Sequence, residues 1–520
     1  MAHQGFFYAP DERLLSTADF LAAGGEWLAA QLTKLNPDED KEALLKLWRK
    51  VTYEELPADF AVVPYCNLNT GNLSYLPVKM VAKMYMSNGM CAGNTPEEAL
   101  VQGIAELFER HVNQRIVREK LVPPTIPGDY IARFPRIAAM IAAIEARGDC
   151  RVILKDCSLG RGYPVVGVIY INLAAQSYFV KFGAHPLFEI AAERTLTELL
   201  QGQDIGRMMG MREFSFRDGS GDGNNLIGIL VNGSGVYPSE FFGPQPSYPF
   251  REWDEVKADG NRKLLHHLLA KLAVDGFEVY ARDVSFLGFP AFQVIVPHFS
   301  EIETFGDIGA IEEYADYNEA RRLIRRLDEL DKEERGLIIG FLRQMPYSPD
   351  TNVFEFLNQP VSDPAPFPWY FGSLDLLLTV FLLKNGDLQG AAAVFERYAA
   401  FSRKANRPEG AVTFYRCVAD YLGARASGRS EAEIAATLGV FYPEEVVAGV
   451  LKEWGDPSKL DCRPDNPRCF DCARCAWRGD CLHPETERVY LLLKERQAAN
   501  PIDQRHLAAL GMGAPTLASH

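Results

Sequence analysis

Hydrophobic residues recur at three- and four-residue intervals in "LLSTADFLAAGGEWLAAQLTKL" (residues 14–35) and "KEALLKLWRKV" (41–51), so the spacing predicts amphipathic helix over the first fifty residues. The pattern then changes. Between about residues 60 and 295 the apolar runs "FAVVPYCNL", "YPVVGVIYINL", "SYFVKFGAHP", "LIGILV" and "AFQVIVP" read as strands alternating with helical stretches, which predicts an α/β or α+β domain built on a substantial sheet. A charged helical connector follows, "IEEYADYNEARRLIRRLDELDKEERG", and the proline-rich "VSDPAPFPWYFG" marks a boundary. Beyond it the chain turns helical. "LDLLLTVFLLKNGDLQGAAAVFERYAAFSR" predicts two antiparallel helices joined at an Asn-Gly-Asp turn, and "EGAVTFYRCVADYLGARASG" a third helix. The terminal "APTLASH" is polar and expected to fray.

The chain of 520 residues is long enough for two to four domains, and 47% hydrophobic with 24% charged residues is the mixture of a packed globular protein. A net charge of -15 argues against a surface that holds nucleic-acid backbones. The start, "MAHQGFFYAPDERLL", lacks the basic, apolar and small-residue order of an export signal, and the longest apolar run, "LLLTVFLL", is far shorter than the ~20 residues that cross a bilayer. A cytoplasmic protein with no membrane span is expected.

Chemistry concentrates in two segments. In "SNGMCAGNTPEEALVQGIAELFERHVNQR" (residues 87–115), Thr95 can cap a helix, Pro96 suits its first position, and Glu98 stands where a capping-box carboxylate would. At 100° per residue Glu98, Gln102, Glu106 and Glu109 fall within about 80° of one another, opposite Leu100, Ile104, Leu107 and Phe108. A solvated face would interleave lysines, whereas this one has only Arg110 beside it, so the carboxylates either face water or serve a hard divalent cation that shares substrate phosphates. The backbone N–H groups of "SNGMCAGN" ahead of the helix suit phosphate. In "SYFVKFGAHPLFEIAAERTLTELLQGQD" (177–204) a strand leads into a helix on which Arg194, Glu198 and Gln201 share a stripe, with Leu196, Leu199 and Leu200 off it. Glu193 points elsewhere and reads as structural, and His185 reads as a cap or packing residue before a base.

These segments resemble the YcaO family. Its E-x-x-E-R signature falls on Glu106, Glu109 and Arg110, and its R-x-x-x-E-x-x-Q signature on Arg194, Glu198 and Gln201. The resemblance runs from near the N-terminus through the helical region, including "NGDLQGAAAVFERY" and "FYRCVADYL", and fades after about residue 455. It implies a YcaO-type domain with a mixed sheet over residues 1–310, a connector and linker over 311–365 and an all-α tetratricopeptide-like domain over 366–455; the cysteine crowding beyond it predicts a small cysteine-rich tail module over 456–520. It further implies ATP and Mg²⁺, used to phosphorylate a backbone amide oxygen in a peptide or protein. Carried over by position, Glu98, Glu106, Glu109 and Glu198 are Mg²⁺ ligand candidates, and Cys91, Asn94, Arg110, Arg194 and Gln201 nucleotide contacts; Cys91 stands where similar proteins have serine. The free-standing branch implies a helper to a radical-SAM methylthiotransferase that modifies a small-subunit ribosomal protein. A second copy of the chain is a further candidate partner.

Three departures from the family follow. An earlier glutamate-bearing helix, S-x-x-x-E-x-x-E-R, has no counterpart ahead of Ser87, so a separate polypeptide supplies those carboxylates, the chain is shortened, or the site is incomplete. A scaffold that holds nucleotide without turning it over is the alternative to an enzyme. The proline-rich terminus of azoline-forming members is missing too, which disfavours heterocycle synthesis. Finally, "CRPDNPRCFDCARCAWRGDC" places Cys462, Cys469, Cys472, Cys475 and Cys481 in the spacing C-x6-C-x2-C-x2-C-x5-C, which predicts zinc or a [4Fe–4S] cluster.

Overall fold

The computed structural model describes residues 11–23, 42, 45 and 59–511, leaving aside 200–210, 303–307, 358–368, 461–471 and positions 147, 218, 219, 222, 234, 255, 257–259, 346, 350, 406 and 480. Gln201, Cys462 and Cys469, most of the second N-terminal helical pattern and the terminal "APTLASH" therefore lie outside the described residues. Two compact units emerge: one of residues 8–45, 54–308 and 496–520, the other of residues 1–7, 46–53 and 309–495.

The first unit holds two sheets. Strands β1 (Arg13–Ser16), β2 (Asp59–Asn67), β3 (Leu73–Pro77), β4 (Met90–Ala92), β9 (Tyr280–Asp283) and β10 (Ala291–Ile295) form one, in the order β1-β2-β9-β10-β4 with β3 also on β2. The second is a meander of β5 (Cys150–Asp156), β6 (Val165–Asn172), β7 (Ser177–Ala184) and β8 (Arg212–Glu213). Every strand pair among the described residues is antiparallel, which corrects the expected mixed sheet: alternating patterns fix which face is buried and are silent on strand direction.

Helix Pro96–Glu119 packs against β4 and β10 of one sheet and β6 and β7 of the other. Leu100, Ile104, Leu107 and Phe108 are all fully buried, as the periodicity requires, but so are Ala99, Ala105, Val112 and Ile116, because the helix has core on more than one side. On the far face of the four-stranded sheet lies helix Phe188–Glu198, packed on β6 and β7 through Ala191, Ala192 and Leu196.

Two local expectations fail. "LIGILV" belongs to helix Gly223–Asn232, with Leu226, Ile229 and Leu230 buried at helical spacing; an apolar run of six carries no usable period of its own. Leu14, Leu15 and Ser16 are strand, held in register against Ala61, Phe60 and Asp59, so that ladder overrides the helical spacing, and helix begins only at Thr17–Ala23.

The first unit is completed from far along the chain. Leu507 is fully buried in the core around helix Pro96–Glu119, and Gly511 lies so close to Leu68 that a Cβ would meet its carbonyl oxygen at 2.1 Å. The Gln504 side chain accepts from the Asp283 N–H at 2.7 Å and donates to the Asp283 carbonyl at 3.0 Å, and His506 Nε2 stands 2.9 Å from the Asp283 carboxylate. That carboxylate raises the His506 imidazole above its usual range, while His506 and Ser285 hold Asp283 below its own despite burial. The raised histidine stabilises the fold fully below its unfolded value near 6.5 and loses that contribution as pH climbs through its folded value; the depressed aspartate loses its own as pH falls. His506→Ala is thus expected to cost up to about 1 kcal/mol in urea unfolding near pH 5.5 and almost nothing at pH 9, since the imidazole is nearly half exposed.

In the second unit, helices Leu374–Asn385 and Leu388–Lys404 meet at Gly386, whose φ of 86° is left-handed, and Asp387 caps the next helix by accepting from the Gly390 N–H at 2.8 Å. Helices Glu409–Ala426, Glu431–Phe441 and Glu444–Trp454 continue the stack. Among the described residues no helix is long and apolar enough to cross a membrane.

Candidate functional site

The helix that carries the glutamates starts as its sequence dictates. Thr95 accepts the Glu98 N–H at 3.2 Å and Pro96 occupies the first turn. The Glu98 carboxylate does not close a box on Thr95; it accepts from the Asn94 N–H at 3.1 Å and from the Asn94 side-chain amide at 3.1 and 3.2 Å. Two turns on, Glu106 pairs with Arg110 Nε at 3.0 Å, each side chain about one quarter exposed, and Arg110 Nη1 donates to the Leu230 carbonyl at 2.5 Å.

Glu109 stands at the centre of charge. Its carboxyl is pushed up to about 8, first by burial, then by Glu106, with Arg110 opposing, Glu198 adding to the rise and Lys181 opposing again. Burial also raises Glu106, against the pull of Arg110. Burial lowers Arg194 while Glu109 and Glu98 counter it, and its Nη1 donates weakly to the Ala184 carbonyl at 3.4 Å. Glu109 thus lies within electrostatic reach of Glu106 and Arg110 on its own helix and of Arg194 and Glu198 on the helix across the four-stranded sheet, and Arg194 also lies within reach of Glu98.

Cys91 on β4 lies beside Glu106 and against Gly103, where a Cβ would come within 2.6 Å of its sulfur. Burial and Glu106 push its thiol up to about 12, so it is a neutral weak donor, directed at the Phe292 carbonyl at 3.6 Å. His185 Nδ1 accepts from the Leu187 N–H at 3.0 Å, and burial with Arg194 lowers it to about 4, so it is a buried, neutral acceptor ahead of helix Phe188–Glu198, whose N-cap Leu187 makes no side-chain cap bond. Glu193 is occupied by Arg136.

Sequence reasoning missed three contributors: Lys181 on β7, the Leu230 carbonyl, and Tyr237, whose hydroxyl donates to Asn113 Oδ1 at 3.0 Å and whose ionisation burial suppresses, with Glu109 adding to the effect. Only Lys181 left a trace, as a charge inside the apolar run "SYFVKFGA".

Among the described residues no three His, Cys, Asp or Glu side chains stand as a ready metal site. The donor chemistry nonetheless suits a hard cation: Glu106 and Glu198 lie within electrostatic reach of Glu109, which its surroundings keep protonated, while Glu106 and Glu98 are held by Arg110 and Asn94. In the tail, Cys472, Cys475 and Cys481 are half-buried, and burial with Cys481 and Cys475 raises Cys472.

Comparison with known proteins gives a consistent result. The sequence model of the YcaO cyclodehydratases, described as ATP- and Mg²⁺-binding, matches residues 1–300. The chain is 33% identical over 359 residues to the ribosomal protein S12 methylthiotransferase accessory factor YcaO of Escherichia coli, covering 68% of this chain and 60% of that one. It is 36% identical over 247 residues to an uncharacterized protein of Haemophilus influenzae, covering 47% and 42%. The chain thus spans about half the length of the curated relatives it matches. Among solved structures, that of YcaO from Methanopyrus kandleri bound with AMPPCP and Mg²⁺ aligns over 48% of this chain and 66% of that one at 23% identity, with a TM-score of 0.35.

Proposed function

Since the chain belongs to the YcaO family, we propose that it uses ATP with Mg²⁺ to activate a backbone amide in a peptide or protein. The observation that carries this reading is the meeting of Glu106 and Glu109 on one helix with Arg194 and Glu198 on another, around a carboxyl that its surroundings keep protonated. In this reading Glu98, Glu106, Glu109 and Glu198 hold Mg²⁺, and Cys91, Asn94, Arg110, Arg194 and Gln201 face the nucleotide. Mg²⁺ supplies positive charge that offsets the phosphates as a phosphoryl group leaves for the amide oxygen. Glu106 and Glu98 would hold the ion in place of their present partners, which would leave the Arg110 guanidinium and the Asn94 amide for phosphate. Transfer of the γ-phosphoryl group turns the amide oxygen into a leaving group and releases ADP.

The Escherichia coli relative's name, a ribosomal protein S12 methylthiotransferase accessory factor, supports an accessory role in modifying a ribosomal protein; to that setting this reading adds a radical-SAM partner enzyme and the helical unit as a tetratricopeptide-like docking platform. A second reading is a scaffold that binds nucleotide without hydrolysing it, favoured by the pairing of Glu106 to Arg110 and Glu98 to Asn94. Calorimetric titration with a non-hydrolysable ATP analogue, with and without Mg²⁺, alongside an ADP-release assay, separates them. Mg²⁺-dependent binding with turnover supports the enzyme, binding without turnover the scaffold, and absence of binding removes both.

The tail thiols carry a separate proposal, a structural zinc or iron–sulfur site completed by Cys462 or Cys469, supported by the cysteine spacing and by the mutual influence of Cys472, Cys475 and Cys481. Anaerobically purified protein is expected to carry about one equivalent of zinc or about four of iron with sulfide. Stoichiometry below a tenth of either would end this proposal.

A further inference from the structure

Lys181 occupies a position that neither signature reaches. Along β7, Tyr178, Val180, Phe182 and Ala184 face the core around helix Pro96–Glu119, so Phe179, Lys181 and Gly183 face the other way, toward helix Phe188–Glu198. Gly183 touches Thr195 there, and Lys181 stands one strand repeat along, on the side of the Glu198 end of that helix. A lysine at such a place would ordinarily run its stem along the surface and leave its ammonium in water. This one is only partly exposed, with Nζ 5.2 Å from the Phe179 ring centroid and so near Gly233 that a Cβ there would meet it at 2.4 Å.

Gly233 closes helix Gly223–Asn232, with a left-handed φ of 68° and its N–H bonded to the Ile229 carbonyl at 3.1 Å. The same helix end supplies the Leu230 carbonyl that holds Arg110. Two cations from different elements thus converge on the carbonyl end of one helix, where its dipole is negative. Glu109 lies within the field of both. Among the described residues Lys181 makes no ion pair.

Charge balance gives this arrangement a purpose. Even with Glu109 protonated, the carboxyl groups of Glu98, Glu106 and Glu198 outnumber the guanidiniums of Arg110 and Arg194, and a triphosphate brings more negative charge than one Mg²⁺ removes. A third cation is what the site needs. We propose that Lys181 is a phosphate-facing residue of the nucleotide site, resting in the ligand-free protein against the carbonyl end of helix Gly223–Asn232 and engaging the outer phosphates when nucleotide binds. This rests on the nucleotide reading given above. It adds a contact from the middle of a strand, outside both signature helices.

The test titrates Mg²⁺ with a non-hydrolysable ATP analogue, and separately AMP, into the full chain as wild type, Lys181→Met and Lys181→Arg. Lys181→Met is expected to weaken the triphosphate analogue about tenfold, as one charge-assisted contact is lost, and to leave AMP unchanged; Lys181→Arg should regain most of the difference. Tight wild-type binding with an unchanged Lys181→Met, or an equal loss for AMP, overturns the role of Lys181 and leaves the nucleotide reading standing. A wild type that binds no analogue overturns the nucleotide reading itself, and Lys181 falls with it.

Discussion

Gly183→Val is expected to destabilise the sheet-bearing unit by about 3 kcal/mol and to abolish Mg²⁺-dependent nucleotide binding together. A Cβ at position 183 would lie 2.4 Å from Thr195 Oγ1, 2.8 Å from Thr195 N and 2.9 Å from the Ala191 carbonyl. Two of those three atoms are backbone, and Thr195 is fully buried, its hydroxyl already bonded to the Ala191 carbonyl at 2.7 Å and the Val166 carbonyl at 3.3 Å. The helix can relieve the overlap only by lifting from the strand, and Arg194 and Glu198 lift with it. Urea unfolding and the analogue titration read the two effects. Thr195→Ala in the same chain removes the closest contact and leaves the backbone contacts, so it should restore part of the stability and little of the binding. Full restoration of both would mean that the close approach matters for space alone.

Glu109→Gln should abolish the Mg²⁺ dependence of binding while making the metal-free protein more stable at pH 8. The raised carboxyl explains the second half. A carboxyl whose folded value lies near 8, against 4.5 when unfolded, binds its proton more tightly in the fold, so it costs no stability in acid and costs increasingly as pH climbs from about 4.5 toward 8. Glutamine keeps the shape and removes the proton to be lost. The gain should be about 1–2 kcal/mol near pH 8 and absent near pH 4, the full shift being discounted because the side chain still meets some water. In the wild type a cation must displace that proton, so analogue binding with Mg²⁺ should tighten between pH 6 and 8. A pH-independent affinity would remove Glu109 from the ligand set.

How much of this was legible depended on whether the information was local. The glutamate helix could be read because Thr95, Pro96 and the period of Leu100, Ile104, Leu107 and Phe108 all act within a few residues. The strands at Asp59–Asn67, Val165–Asn172, Ser177–Ala184 and Ala291–Ile295 could be read from apolar runs bounded by turns. "LIGILV" could not, because six apolar residues satisfy either structure until their neighbours are known. At the site, the faces were visible and the reaches were not: no periodicity says that Arg110 ends on the Leu230 carbonyl, 120 positions away, or that Lys181 turns toward Gly233. Strand direction was invisible for the same reason, since either pairing buries the same face.

The return of residues 496–511 onto the sheet has a consequence in time. Leu507 belongs to the core that the glutamate helix organises, yet residues 309–495 are synthesised between them. While a ribosome is still making the helical unit, the core stands open at the place Leu507 will fill, and strand β9 lacks the Gln504 side chain that brackets Asp283. Closing so long a loop costs little more than closing one half its length, about 0.6 kcal/mol, so the delay concerns order of events more than final stability. A segment translated after the helical unit finishes the sheet-bearing unit whose strands were made before it, and a nascent chain halted before residue 504 should therefore be unusually open to protease in β2 and β9.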